Sequence, residues 1–389
     1  MPRKLSPDKW LFGVTVALVL FGIVMVNSAS VVLATRPVGV FSYFFLRQAA
    51  VALGSLALMW VIMRVDYQRY NNGWVVFSGL GLCAALLVAV LQQPGASSVR
   101  RWLQVGPLSF QPSELTKLFV VLFTAGFLAR RGAGVNHLAG GLLPYLGVVG
   151  ACAGLVAVEP DLGTAACILA VAMVLLFVAG VRWQYLAGTA AVALCGLLVL
   201  VLRNPYQLRR LLTFAAGGGA DRAGAGYQIH QSLIAVGSGG VGGLGLGDGR
   251  QKLYFLPQPH SDFIFAVIGE ELGLIGAALV ALLFLLFFWR GVKAAVRAPD
   301  RFGYFLALGL TLMIVVQAFI NISVALHLLP TKGIPLPFIS MGGSSMLVSL
   351  VAAGVLLNVS QYAGGRAYVP AEEASPGLPG FPRPDMRRG

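Results

Sequence analysis

Residues 262–289 read DFIFAVIGEELGLIGAALVALLFLLFFW. Beyond Asp262 the only ionisable side chains in this stretch are Glu270 and Glu271, and the rest is apolar. A helix needs about 20 predominantly apolar residues to cross the hydrocarbon of a bilayer, so this run spans a membrane. Nine similar runs surround it, near 11–33, 43–63, 74–91, 113–129, 142–158, 164–181, 183–202, 303–328 and 344–362. The composition agrees. Of 389 residues, 58% are hydrophobic and 11% are charged, against about 25% charged in a soluble domain. A cytosolic enzyme, a secreted disulfide scaffold and a disordered chain are all excluded. The fold class is an all-α integral membrane protein of about ten transmembrane helices.

The first run follows the basic head Arg3, Lys4 and Lys9 and is too long for a signal-peptide core, so it counts as a span. With the N-terminus inside, the inner segments hold sixteen Lys and Arg residues. The short outer loops hold four: Arg36, Arg100, Arg101 and Lys332. Positive charge collects on the cytoplasmic side. Both termini are therefore cytoplasmic. Residues 1–10 form the cytoplasmic N-terminus, 11–362 the membrane domain, and 363–389 a Pro- and Gly-rich disordered tail. Between helices 7 and 8 a long extracytoplasmic loop, 203–261, carries six cations, including Arg210, Arg250 and Lys252. Long loops are largely exempt from the charge bias, and the aromatic and apolar stretches of this one predict partial order. The net charge of +14 suits anionic lipid headgroups or an anionic lipid-linked substrate, not nucleic acid. Cys83, Cys152, Cys167 and Cys195 lie in apolar runs without a CxxC pair and read as core residues. No metal-ligand cluster stands out.

Ionisable groups at membrane depth are candidates for function. Glu114 and Lys117 share a helix face, either as a structural ion pair or with Lys117 facing a cavity for an anionic substrate. Arg101 and Trp102 sit at the outer interface, as anchors or as part of a site. Asp161, in Glu159-Pro160-Asp161, either caps the next helix or contributes to the outer face. Residues 237–249 hold eight glycines in thirteen positions. Gly240, Gly242 and Gly245 match GxGxxG, yet no βαβ unit is possible here, so a flexible loop or a re-entrant turn is predicted. Asp262 stands where the long loop enters the eighth span. Beside His260 at the mouth of an apolar cavity it can act as a general base, or it is only an N-cap. Glu270, rotated about 80° from Asp262 on a helix of 3.6 residues per turn, lines the same cavity more easily than Glu271. Alternatively, Glu270 is a buried hydrogen-bonding group between helices. Three prolines in the run from Pro330 to Pro337 precede Gly342-Gly343-Ser344-Ser345, which opens the last span. That helix N-terminus, with Lys332 nearby, either holds a phosphate or is plainly capped.

Five motifs, in order, resemble the SEDS family (shape, elongation, division and sporulation proteins, typified by FtsW and RodA). They are Arg101-Trp102 with Gln111-Pro112-Ser113-Glu114-Leu115-Thr116-Lys117; Glu159-Pro160-Asp161-Leu162-Gly163-Thr164; Gly226-Tyr227-Gln228 with Gln231-Ser232; the run from Gln251 to Ala266; and that from Pro330 to Ser345. Gln251-Lys252-Leu253 and Leu329-Pro330-Thr331-Lys332-Gly333 resemble the division branch, FtsW, more than the elongation branch, RodA. Ser261 and Met341 depart from the usual Thr and Tyr, and Gly217-Gly218-Gly219-Ala220-Asp221 replaces an Asp-Pro-Trp element. The resemblance implies a peptidoglycan glycosyltransferase of the bacterial cytoplasmic (inner) membrane that polymerises lipid II for septal synthesis in cell division. It also implies a class B penicillin-binding protein as transpeptidase partner, with other division proteins. The implied catalytic carboxylate is Asp262, and the implied supporting residues are Trp102, Lys117, Glu270 and Lys332. Lipid II is α-linked to its diphosphate and the polymer is β-1,4 linked, so one inverting displacement suffices. Arg101, Lys117, Lys252 and Lys332, or a divalent cation (Mg or Mn), would meet the leaving diphosphate. His260 and Ser344 complete the substrate-binding set, and no organic cofactor is implied. A lipid II flippase, a RodA-like elongation polymerase and a docking scaffold are the competing readings. The charged motifs cluster on the outer half, whereas a transporter needs a polar path across.

Overall fold

The structure, a computed structural model, describes residues 6–30, 39–92, 101–105, 108–216, 224–253 and 255–362. The expected disordered tail, 363–389, lies outside the described residues, as do Ser98, Val99 and Arg100 and the Gly217-to-Asp221 departure. The chain order is α1 (Lys9–Ala29), α2 (Gly39–Ile62), α3 (Gly73–Gln92), β1 (Leu103–Val105), β2 (Leu108–Phe110), α4 (Pro112–Arg131), α5 (Leu143–Val158), α6 (Leu162–Val178), α7 (Trp183–Arg203), α8 (Pro205–Ala215), α9 (Ala225–Ser238), α10 (Ile264–Val296), α11 (Arg301–Ala325) and α12 (Gly343–Gln361). Among the described residues nine helical segments are long and apolar enough to span, and α6 is a shorter apolar helix. The protein is a multi-pass membrane protein with the ten spans read from the sequence.

The helices that carry polar side chains sit in the middle. α4, α11 and α12 are largely buried; α7 has no buried residue and packs only at the periphery. Lipid tails do not drive apolar helices together, so close packing and interhelical hydrogen bonds hold the bundle. At one end of the bundle Arg290 of α10 makes a forked ion pair with Asp8, which also caps α1. The Asp8 N–H donates to Ser360 of α12 at 3.1 Å.

The run that opened the sequence analysis becomes α10, and it is broken. Gly273 has φ 64° and ψ −160°, which frees backbone groups at membrane depth, where each must find a partner. The glycine-rich segment supplies them. Leu274 and Ile275 donate to the carbonyls of Gly240 and Val241 at 2.9 and 3.2 Å. The carbonyls of Glu270 and Glu271 accept from Leu244 and Gly245, both at 3.0 Å. A Cβ on Gly273 would lie 2.4 Å from the Gly243 nitrogen, and one on Gly239 would lie 1.9 Å from the Gly269 carbonyl. The glycines permit backbone-to-backbone contact, and the predicted re-entrant turn is a clip on the kinked helix. Elsewhere among the described residues of the long loop stand α8 and α9, with Ser232 of α9 donating to the Ala325 carbonyl of α11 at 2.8 Å.

Candidate active site

Four segments converge at the other end of the bundle, beside α11: the short antiparallel hairpin β1–β2, helices α8 and α9, the approach to α10, and the proline-rich run before α12. Between them lies a cavity of about 400 Å³, lined by Arg101, Trp102, Tyr206, Arg210, Asp262 and Gly342 among others. Gly333 forms part of its wall. A Cβ there would sit 3.0 Å from Asp262 Oδ2 and 3.5 Å from Arg101 Nη1. The missing side chain leaves room for a carboxylate and a guanidinium to approach the same point.

Asp262 precedes α10, and the N-cap position falls on Phe263, so the N-cap alternative fails on geometry. Burial pushes the Asp262 carboxyl up to about 6, and Asp161 adds to the rise, while Arg101 and Arg210 pull against it. Arg101 is held by the Pro160 carbonyl and lies 4.0 Å from Asp161. Asp161 caps α6 through the Thr164 N–H at 3.2 Å and accepts from Gln111 and Ser113 at 2.9 and 3.1 Å. Glu159, fully buried in the same outer turn, is pushed up to about 8, chiefly by burial. Arg210 donates to the Thr331 carbonyl at 3.2 Å and lies 4.6 Å from the Tyr206 ring centroid. Lys332 feels Asp161, Arg101 and Arg210, and burial lowers its pKa. His260 is also lowered by burial. Its carbonyl accepts from the Met341 N–H at 2.9 Å.

The structure brings Asp262, Arg101 and Trp102 together and puts Lys332 in electrostatic reach of Arg101. Other predicted residues stand elsewhere. Lys252 is a correction: it is buried, ion-paired with Glu271 at 2.6 Å and bonded to Ser28 at 3.0 Å and the Gly247 carbonyl at 2.7 Å. The returning loop takes its charge inward to neutralise Glu271, leaving nothing for a diphosphate. Glu270 is a second correction. It does not line the Asp262 cavity but accepts the N–H groups of Arg250 and Gln251 at 2.6 and 2.9 Å, because the loop presents amides that need an acceptor. Lys117 is buried one layer beneath the cavity, 3.0 Å from Glu114 and bonded to Gln317 of α11. The Ser344 hydroxyl accepts from the Gln111 N–H at 3.1 Å, and Gly342, not Ser344, lines the cavity.

Arg210 and Tyr206 line the cavity without having been singled out, and Gln228, quoted only within a motif, lines it too. Arg210 was visible as one of six cations in the long loop, but nothing in its own spacing separates it from Arg209. Only the seating of α8, with Gln207 donating to the Pro160 carbonyl at 3.2 Å, selects it. The donor set tests the expected divalent cation. One carboxylate faces two guanidinium groups, and among the described residues no three His, Cys, Asp or Glu side chains converge as metal ligands would. These residues form no all-protein cage for a Mg or Mn ion; among the described residues Asp262 is the one carboxylate at the cavity that would hold such an ion jointly with the phosphates of a substrate.

Residues 8–364 match the cell cycle protein family of FtsW, RodA and SpoVE. Stage V sporulation protein E of Bacillus subtilis (strain 168) is 42% identical over 92% of this chain and 98% of its own length. A probable peptidoglycan glycosyltransferase FtsW of Geobacter sp. (strain M18) is 42% identical over 94% of this chain and 100% of its own. Among solved structures, a chain of a peptidoglycan synthase complex aligns with TM-score 0.74 and 30% identity, covering 92% of this chain and 98% of that one. The rod shape determining protein RodA of Thermus thermophilus aligns with TM-score 0.65 and 27% identity, covering 92% and 97%.

Proposed function

The chain belongs to the FtsW, RodA and SpoVE family of cell cycle proteins, and from that membership we propose that it polymerises lipid II into β-1,4 glycan at the outer face of the cytoplasmic membrane for septal wall synthesis. It is an inverting peptidoglycan glycosyltransferase. The observation that carries the site assignment is a half-buried carboxylate, Asp262, sharing one outer cavity with Arg101 and Arg210. A carboxyl raised to about 6 is ionised at neutral pH and basic enough to take a proton. Asp262 accepts the proton of the acceptor's GlcNAc 4-hydroxyl as that oxygen bonds to the donor's anomeric carbon. The bond from that carbon to the diphosphate oxygen breaks on the opposite side, and the electron pair leaves with the diphosphate. Arg101 and Arg210 meet the charge that develops there, with Lys332 adding to the field. Trp102, exposed at the rim, offers an apolar face to a sugar ring. Both termini are cytoplasmic, and the partner is a class B penicillin-binding protein. The similarity to a chain of a peptidoglycan synthase complex supports that partner.

The test is chain-length analysis of products made from labelled lipid II by purified wild type and Asp262→Asn, with and without the partner. Wild type makes polymer. Asp262→Asn folds and binds the partner but makes none, since the amide cannot accept the proton. Transfer of lipid II across a liposome without polymer would instead favour a flippase, and inertness in both assays a scaffold.

A further inference from the structure

α11 carries two buried amides one turn apart, Gln317 and Asn321. Both reach up to the floor of the outer cavity. Gln317 donates to the Pro335 carbonyl at 2.9 Å and accepts from Lys117. Asn321 Nδ2 donates to two carbonyls, Asp262 at 2.9 Å and Ile334 at 2.8 Å. The first belongs to the residue proposed as base, the second to the segment that faces it.

The carbonyl of Asp262 lies before the first turn of α10, whose opening bonds run from Ala266 and Val267 to Phe263. The helix ladder therefore does not fix the Asp262–Phe263 peptide plane; Asn321 does. Fixing that plane fixes the direction in which the Asp262 side chain leaves the backbone. The second bond fixes Ile334, next to Gly333, across a gap in which an added Cβ would stand 3.0 Å from Asp262 Oδ2 and require the carboxylate to shift. One planar amide with two donors thus sets both sides of the gap. The Asn321 oxygen is buried and finds no hydrogen-bond partner among the described residues. An amide here leaves a polar atom unsatisfied, at a cost to stability, and its donors serve the two loops.

We propose that Asn321 is a positioning residue for glycan polymerisation, clamping the Asp262 loop to the Ile334 loop so that the carboxylate stands at a fixed distance from the acceptor hydroxyl. The role presupposes the polymerase function given above. It does not extend to substrate affinity, because Asn321 does not line the cavity. A misplacement of about 1 Å can cost roughly a hundredfold in rate.

The experiment compares kcat, KM for lipid II and melting temperature for the purified full-length wild type, Asn321→Leu and Gly333→Ala, each with the transpeptidase partner. Asn321→Leu keeps the volume and removes both donors; kcat should fall ten- to a hundredfold with KM within about twofold. Gly333→Ala adds a Cβ at 3.0 Å from the carboxylate; kcat should fall with the melting temperature unchanged. If Asn321→Leu does not fold, Asn321→Gln, which keeps the donors on a longer arm, is read in its place against Gly333→Ala. A wild-type kcat in Asn321→Leu overturns the proposal. So does a fall in kcat that is matched by a rise in KM and a collapse in melting temperature, which is what a merely structural amide would give. Absence of polymer from the wild type itself would overturn the polymerase function, and the clamp with it.

Discussion

Asp262 is held at a pKa where its proton chemistry is measurable. Burial raises the carboxyl from 3.8 to about 6 against the pull of two arginines. A general base works ionised, so the polymerisation rate should rise with pH through about 6 and level off above it. The sign for stability is opposite. The fold disfavours the ionised form, so the contribution of this group is fully present below the unfolded value near 3.8 and is lost as pH rises through about 6. At pH 7 Asp262→Asn should therefore melt no lower than wild type while making no polymer. A lower melting point, or a rate that falls on raising pH from 5 to 7, contradicts the assignment. Arg210 is the residue the sequence kept hidden. A cation in a long loop carries no signal of its destination, and its meeting with Arg101 depends on α8 lying across the outer turn. Arg210→Leu should cut polymerisation about ten- to a hundredfold, the loss of one charge-assisted contact of about 1.5–3 kcal/mol. Equal rates for wild type and Arg210→Leu at saturating and limiting lipid II would remove it from the site.

At the scale of elements, hydropathy made the spans legible, because the bilayer demands length and apolarity from each one separately. The predicted runs at 74–91, 113–129 and 183–202 fall within two or three residues of α3, α4 and α7. What hydropathy could not show is how charges within the spans are spent. Glu270 looks like a cavity residue by helical rotation, yet the kink at Gly273 and the returning glycines turn both it and Glu271 toward the loop. Lys252 follows from the same event. Its Nζ sits among Glu271, Ser28 and the Gly247 carbonyl, a full set of acceptors for a buried ammonium. Removing one partner of a buried pair strands the other charge, at about 3–5 kcal/mol. Lys252→Met should accordingly lower thermal stability strongly, and Lys252→Met with Glu271→Gln should recover much of that loss. A diphosphate-binding lysine would behave differently: activity would fall, the melting point would hold, and the second substitution would rescue neither. Lys117 falls under the same logic, because its loss would leave Glu114 buried and unpaired.

Over the whole molecule, polarity is arranged by end. The cavity, its arginines and the clamp on α11 occupy one end of the bundle, while Arg290, Asp8 and the basic ends of α4 and α10 occupy the other. Between them the buried polar groups pair locally. The Glu114–Lys117 and Glu271–Lys252 pairs are each closed within the protein. That arrangement suits chemistry on one face better than carriage across, and it makes orientation the property on which the function depends. The proposed topology, argued from the charge bias, has α8 outside and the end of α10 inside. Arg209 on α8 and Arg297 after α10 are exposed and mark the two sides. On a background with Cys83, Cys152, Cys167 and Cys195 replaced, Arg209→Cys should react with an impermeant thiol reagent added to intact cells with a permeabilised outer layer. Arg297→Cys should react only after the cytoplasmic membrane is broken. The reverse pattern would place the Asp262 cavity in the cytoplasm, where it could not feed an external wall. Labelling of both from one side would remove a span from the bundle.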